Sequence, residues 1–179
     1  LSALELPLFL SILFTLLAVG CVAYIMERLA IHPLIGQPLL SILLVTLGLS
    51  HMLNGLAMFM WGGYSENLPR FLPGKAIFMG SVVIAHDLLW AFIVSICLLI
   101  LLLLFFKFTK VGLAMRAVAE DHQTAQARGI NVGVVFGATW FLAGIVASVG
   151  GILLAYSLGV SQFLSGVRLK AFPVVLLGG

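Results

Sequence analysis

The sequence predicts an all-α protein: a polytopic bundle of transmembrane helices with about four complete spans. Three observations carry this. The 179 residues are 63% hydrophobic. Only 8% are charged, where a soluble domain carries about a quarter, so too little polar surface exists to cover a fold in water. The apolar residues also gather into uncharged runs of about 20 residues, the length at which a helix crosses hydrocarbon ~30 Å thick. Mean hydropathy is +1.25.

The first run, 6–26, carries no charge, and Pro7 is tolerated near its start because the first N–H groups of a helix lack partners anyway. It stops at Glu27-Arg28, and Pro33, Gly36 and Pro38 make a short connection. The second span is 39–61. Thr46, Ser50 and Asn54 recur every four residues and share one helical face, with His51 beside Ser50. Polar groups at that depth face protein or water. Two readings stand: hydrogen bonding between helices of the bundle, or a stripe lining a solute path. Gly62-Gly63 ends this helix, and 64–75, with Pro69, Pro73 and Gly74, is an extramembrane loop. Trp61, Tyr64 and Trp90 stand where interface anchors stand. The short apolar piece 76–85 reads either as re-entrant or as the start of the next helix.

The third span is 88–106. His86-Asp87 precedes it, and an aspartate at a helix N-terminus is favoured by the helix dipole. A coupling-ion carboxylate is the alternative role for Asp87. The fourth span is 134–156. In it Gly137, Gly144 and Gly151 are seven apart, a spacing that lets another helix approach closely. A loop at 158–170 and a further apolar segment at 171–177, interrupted by Pro173, follow. The chain opens on Leu1 and closes on Gly178-Gly179 within an apolar stretch, so it reads as one membrane domain over 1–179, truncated at both ends.

Between the third and fourth spans lies the longest hydrophilic stretch, 107–133. Lys107, Lys110, Arg116 and Arg128 outweigh Glu120 and Asp121, leaving it net basic by two. Its middle is rich in Ala, Met, Arg, Glu and Gln, all good helix formers, and Gly129 suits the position that stops a helix. One or two short helices on the membrane surface are predicted. An amphipathic surface helix held by lipid head groups is one reading; a docking element for a partner is the other. Helix alternation puts 27–38 on the same side as 107–133. Five basic residues on that side against four on the other make it the cytoplasmic one by a narrow margin.

Several classes are excluded. The net charge of +3 suits anionic lipid heads, but no basic and aromatic cluster for nucleic acid is present. Cys21 and Cys97 lie in apolar runs without metal-spaced neighbours, and read as small buried hydrophobes. There is no G-x-x-x-x-G-K-[ST] phosphate loop and no nucleophile–base spacing, so the chain is not expected to be an enzyme, and no cofactor, catalytic site or metal site is expected.

The stretch TKVGLAMRAVAEDHQTAQARGINV, residues 109–132, resembles the cytoplasmic loop of bacterial branched-chain amino acid ABC transporter permeases (LivH/LivM type). ERLAIHPL at 27–34, TLGLS at 46–50 and LKAFPVVLLGG at 169–179 are similar to the same family in the same order, with Pro173 a mild departure. The resemblance implies an ATP-driven importer of branched-chain amino acids in the bacterial inner membrane. A periplasmic substrate-binding protein delivers the solute, a second permease subunit completes the path, and two cytosolic ABC ATPase subunits push on helices of the 107–133 loop. It places Arg116, Ala117, Glu120, Asp121, Ala125 and Gly129 at the ATPase interface. Helices that the family carries before and after this region are absent from the 179 residues, so transport by them alone is not expected. The competing readings are the same mechanism for urea or short amides, and a secondary transporter or channel using Asp87 or His51.

Overall fold

The computed structural model describes residues 8–62, 77–79, 82–84, 86–159 and 177. The expected loop at 64–75, all but the first two residues of the one expected at 158–170, most of the segment at 171–177, and the side chains of His86 and Asp87 lie outside the described residues; Leu158 itself still belongs to the last helix.

Helix α1 (Leu8–Met26) is followed by a π-helical turn at Glu27–Ile31 and a 3₁₀ turn at His32–Leu34. The charges at Glu27 and Arg28 therefore do not end the helical path. What ends it is Pro33, which has no N–H to give, followed by Gly36, whose φ of +90° is left-handed. Helix α2 (Leu39–Trp61) comes next. Strands β1 (Ile77–Met79) and β2 (Val82–Ile84) then pair antiparallel, with Phe78 opposite Val83. The piece 76–85 is thus neither re-entrant helix nor the start of the third span where it is described. Its Ile, Phe and Val residues favour extended backbone. Helix α3 (His86–Phe108), α4 (Lys110–Glu120), α5 (His122–Ala127) and α6 (Val132–Leu158) complete the described fold.

Four of these helices are long and apolar enough to cross a membrane: Leu10–Leu34, Leu40–Met60, Leu88–Phe108 and Val132–Ser157. Their outer faces are bare hydrocarbon: Phe59 is 90% exposed and Leu40 70%. Apolar surface of that extent fits acyl chains or further protein, not water. Cys21 and Cys97, expected as buried hydrophobes, are free and exposed on α1 and α3. A single chain offers too few neighbours to enclose every side chain of a span, and lipid tolerates a thiol.

The chain divides into two compact units. The first comprises Leu1–Val45 and Val94–Gly150; the second comprises Thr46–Ile93 and Gly151–Gly179. In the first unit α1 and α6 pack closely. A Cβ built on Gly144 would stand 2.7 Å from Ala23 Cβ, and one on Gly20 would stand 2.9 Å from the Phe141 ring. The buried core of the first unit includes Met115, Val118, Ala125, Val132 and Val135, with Phe105, Phe106, Ile130 and Phe136 around it. This core joins α4 and α5 to the start of α6. In the second unit most of α2 and the hairpin are found.

Candidate functional site

The hydrophilic stretch folds into a bracket of two short helices, and each bend in it is made by a specific local device. At the end of α3 the Thr109 hydroxyl donates to the Phe105 carbonyl at 2.7 Å and accepts from the Gly112 N–H at 2.9 Å, capping α4. Gly112 lets the turn close on itself. A Cβ there would stand 2.6 Å from Phe106 Cα and 2.7 Å from the Phe105 oxygen. On α4 the residues Gly112, Met115 and Val118 recur every three positions and are buried, so the opposite face is left outward.

Asp121 separates the two helices. Its backbone is extended, with φ −156°, and its side chain accepts from the Gln123 N–H at 2.9 Å and the Thr124 hydroxyl at 2.5 Å. The Thr124 hydrogen bond, helped by the Gln123 N–H, holds the Asp121 carboxyl below its ordinary range. The sign follows: the folded form favours the carboxylate, so the cap is fully present above the ordinary aspartate range and is lost as pH falls through the lowered folded value. Because Asp121 is exposed, α5 is expected to fray in strong acid without unfolding of the spans, which amide exchange at Gln123 and Thr124 would register. Asp121→Asn keeps an N-cap acceptor and should abolish that acid step.

The far end of α5 closes in a Schellman arrangement. The Ile130 N–H donates to the Ala125 carbonyl at 3.1 Å and the Gly129 N–H to the Gln126 carbonyl at 2.9 Å. Gly129 takes φ +81°, a conformation that costs other residues roughly 1–2 kcal/mol. Asn131 then caps α6 through Val134 N–H at 3.2 Å. The His122 ring donates to the Val118 carbonyl at 2.6 Å and meets the Phe136 ring edge-on at 5.6 Å, further tying α5 to α6.

The bracket has two faces. Arg116, Glu120, Asp121 and Gly129 are exposed, and Ala117 is half-buried. Neither Arg116 nor Glu120 is held in an ion pair among the described residues. Ala125 is turned inward, 2% exposed, and so belongs to the support of the surface. Val111 and Leu113 are exposed apolar side chains on the same helix as Arg116. Small, charged and apolar groups on a short rigid bracket are a surface that a partner can grip.

The other residues singled out from sequence are placed as follows. On α2, Thr46 and Ser50 are half-buried while His51 and Asn54 are exposed, and the His51 ring donates to the Leu47 carbonyl at 2.9 Å. Of the spaced glycines, Gly137 and Gly144 meet α1: a Cβ on Gly137 would stand 2.6 Å from the Tyr24 ring. Among the described residues an added Cβ on Gly151 meets nothing within 4 Å. Asp87 stands in the first turn of α3. No group of three or more potential metal ligands occurs among the described residues.

One cluster was not singled out from sequence. Glu27 is fully buried, and its Oε1 lies 3.2 Å from His32 Nδ1; His32 Nε2 in turn lies 3.5 Å from Arg28 Nη1. Arg28 can only donate, so Nε2 accepts and Nδ1–H points at the carboxylate. Beside this cluster an open cavity of about 410 Å³ is lined by Arg28, His32, Gln126, Asn131 and Gly133 among others. The signal available in sequence was an ionisable residue at the edge of an apolar run, which reads as a span boundary instead.

The family model described as branched-chain amino acid transport system, permease component, matches residues 1–179. The chain is 31% identical over 173 residues to the high-affinity branched-chain amino acid transport system permease protein BraD of Pseudomonas aeruginosa, covering 92% of this chain and 56% of that protein. It is 29% identical over 163 residues to LivH of Escherichia coli, a permease protein of the same description, covering 86% and 52%. A xylose/arabinose import permease protein of Sulfolobus acidocaldarius, XylH, is 27% identical over 140 residues, covering 76% and 37%. The chain spans about half the length of the first two relatives. No solved structure matches it with significance.

Proposed function

The chain belongs to the permease-component family of branched-chain amino acid transport systems, and from that premise we propose that it forms part of the path of an ATP-driven importer whose α4–α5 bracket receives force from a cytosolic ATPase. The observation that carries this reading is the bracket itself. Its exposed face offers Arg116, Glu120 and Asp121 with Ala117 between them, while its other face is cored onto the start of a membrane span. A surface helix held only by lipid heads needs no such anchorage to a span. In this reading Ala125 and Gly129 shape the bracket, and the four spans together with a second permease subunit form the path. Thr46, Ser50, His51 and Asn54 are proposed to face that path, and Gly137 and Gly144 to pack the last described span against the first. The site of action is the bacterial inner membrane, the solute a branched-chain amino acid delivered by a periplasmic binding protein.

The test uses the full permease with its ATPase and binding-protein partners in vesicles. Leucine uptake should require ATP on the bracket side, and an Arg116→Cys variant should cross-link to an ATPase subunit. Xylose should not compete. Uptake driven by an ion gradient without ATP would assign the chain to another mechanism, and xylose competition would move the substrate to pentoses. Glu120→Lys is expected to weaken ATPase pull-down by about 1–5 kcal/mol if the residue is buried at that interface, and much less at its rim. Asp121→Asn separates charge from capping: it keeps α5 in place, so any loss of pull-down in that variant reports the interface.

A further inference from the structure

Glu27 is fully buried, yet only half of its carboxylate is satisfied. Oε1 is held by His32, while Oε2 has no hydrogen-bond partner among the described residues and lies 3.5 Å from where a Cβ on Gly137 would stand. Buried charge is costly, and an apolar side chain of similar size is usually as good or better for stability. A second observation sits at the same place: the residue opens the π-helical turn Glu27–Ile31, a feature that collects at functional positions in helices. A third concerns what the pair touches. His32 lies against Gly133, where a Cβ would stand 2.7 Å from its Cε1, and Glu27 lies against Gly137, one turn further along α6. The start of α6 is cored in turn onto α5 through Ala125, Val132 and Val135. An unbroken series of contacts therefore runs from the exposed bracket to the end of the first span.

We propose that Glu27, acting through His32, is a positioning residue that ties the end of α1 to the first turns of α6, so that displacement of the α4–α5 bracket is carried into the first span. This rests on reading the bracket as the surface that receives force from the ATPase. The single bond to His32 gives α1 a pivot, and Gly133 and Gly137 give α6 a smooth contact beneath it. That bond keeps the turn seated on the first turns of α6, so force applied to α5 is carried to the end of α1 there, beside the packing of α1 on α6 further along.

The experiment compares Glu27→Leu, His32→Leu and His32→Gln in the full complex, measuring assembly, ATP hydrolysis and uptake in the same vesicles. Glu27→Leu should assemble and hydrolyse ATP near the wild-type rate, while solute moved per ATP falls about two- to thirtyfold, the range single residues exert on coupling between sites. His32→Gln, which retains a donor, should lie nearer to wild type than His32→Leu. If solute moved per ATP is unchanged in both leucine variants, the proposal is wrong. It is equally wrong if uptake and hydrolysis fall only in proportion to lost assembly, since the pair then serves folding alone. Should Glu27→Leu fail to assemble, His32→Leu decides, because His32 is partly exposed and its removal leaves no cavity in the core. Uptake by the wild-type complex that needs no ATP would instead overturn the importer reading on which the proposal rests.

Discussion

Gly144→Leu is expected to eliminate assembled permease from the membrane. The reason is the contact between α1 and α6. A Cβ at Gly144 already stands 2.7 Å from Ala23 Cβ, 3.1 Å from the Val19 carbonyl oxygen and 3.2 Å from Gly20 Cα. Two of those three are backbone atoms, which have no rotamer to retreat into. The rest of a leucine must go further into the same space, so α1 has to move away from α6 along its length. Overpacking a well-filled site costs about 1–3 kcal/mol when side chains can shift, and more when the backbone must. Between membrane helices the loss is felt directly, because association there rests on close packing and not on exclusion of water. The measurement is the yield of monodisperse, detergent-solubilised complex. Gly151→Ala is the control: its Cβ meets nothing within 4 Å among the described residues, and replacing a mid-helix glycine should stabilise by roughly 0.5–1 kcal/mol. Normal yield of Gly144→Leu would show that α1 and α6 are not in contact in the assembled protein.

Gly112→Val is expected to have the next largest effect, and a different one. The spans should still insert, but the bracket should come loose. In an unstrained helix the substitution would be mildly favourable, since glycine is about 1 kcal/mol worse than good helix formers. Here the added Cβ would stand 2.6 Å from Phe106 Cα and 2.7 Å from the Phe105 oxygen, the same carbonyl to which Thr109 donates. The clash therefore opens the α3–α4 turn and breaks the cap on α4 at once. A lost cap alone costs about 1 kcal/mol. Once the turn opens, Met115 and Val118 leave the core they share with Val132 and Val135. The expected readout is rapid proteolysis within 107–133, with unchanged membrane insertion and a loss of ATPase pull-down. Resistance to protease equal to wild type would show that the turn accommodates a side chain.

The class of this protein was legible in residue order alone, because apolar runs of span length and a scarcity of charge leave too little polar surface for a fold in water. Part of the bracket was legible in the same way. Helix formers from 113 on and the stop at Gly129 were legible because these preferences act within a few residues of chain. Resemblance over 109–132 pointed to the family that the whole-length match then showed. Tertiary structure decided what depends on an opposing element. Seven-residue spacing put Gly137, Gly144 and Gly151 on equal terms, but only an opposing helix distinguishes a glycine in contact from one facing open space. Ala125 looked like its neighbours Ala117 and Ala127, yet the start of α6 covers it. Glu27 read as the polar end of a span. It became a buried, half-satisfied carboxylate because the helical path continues through a π turn and turns that carboxylate onto Gly137. Burial is set by what packs against a residue, and no periodicity within one helix specifies its partner.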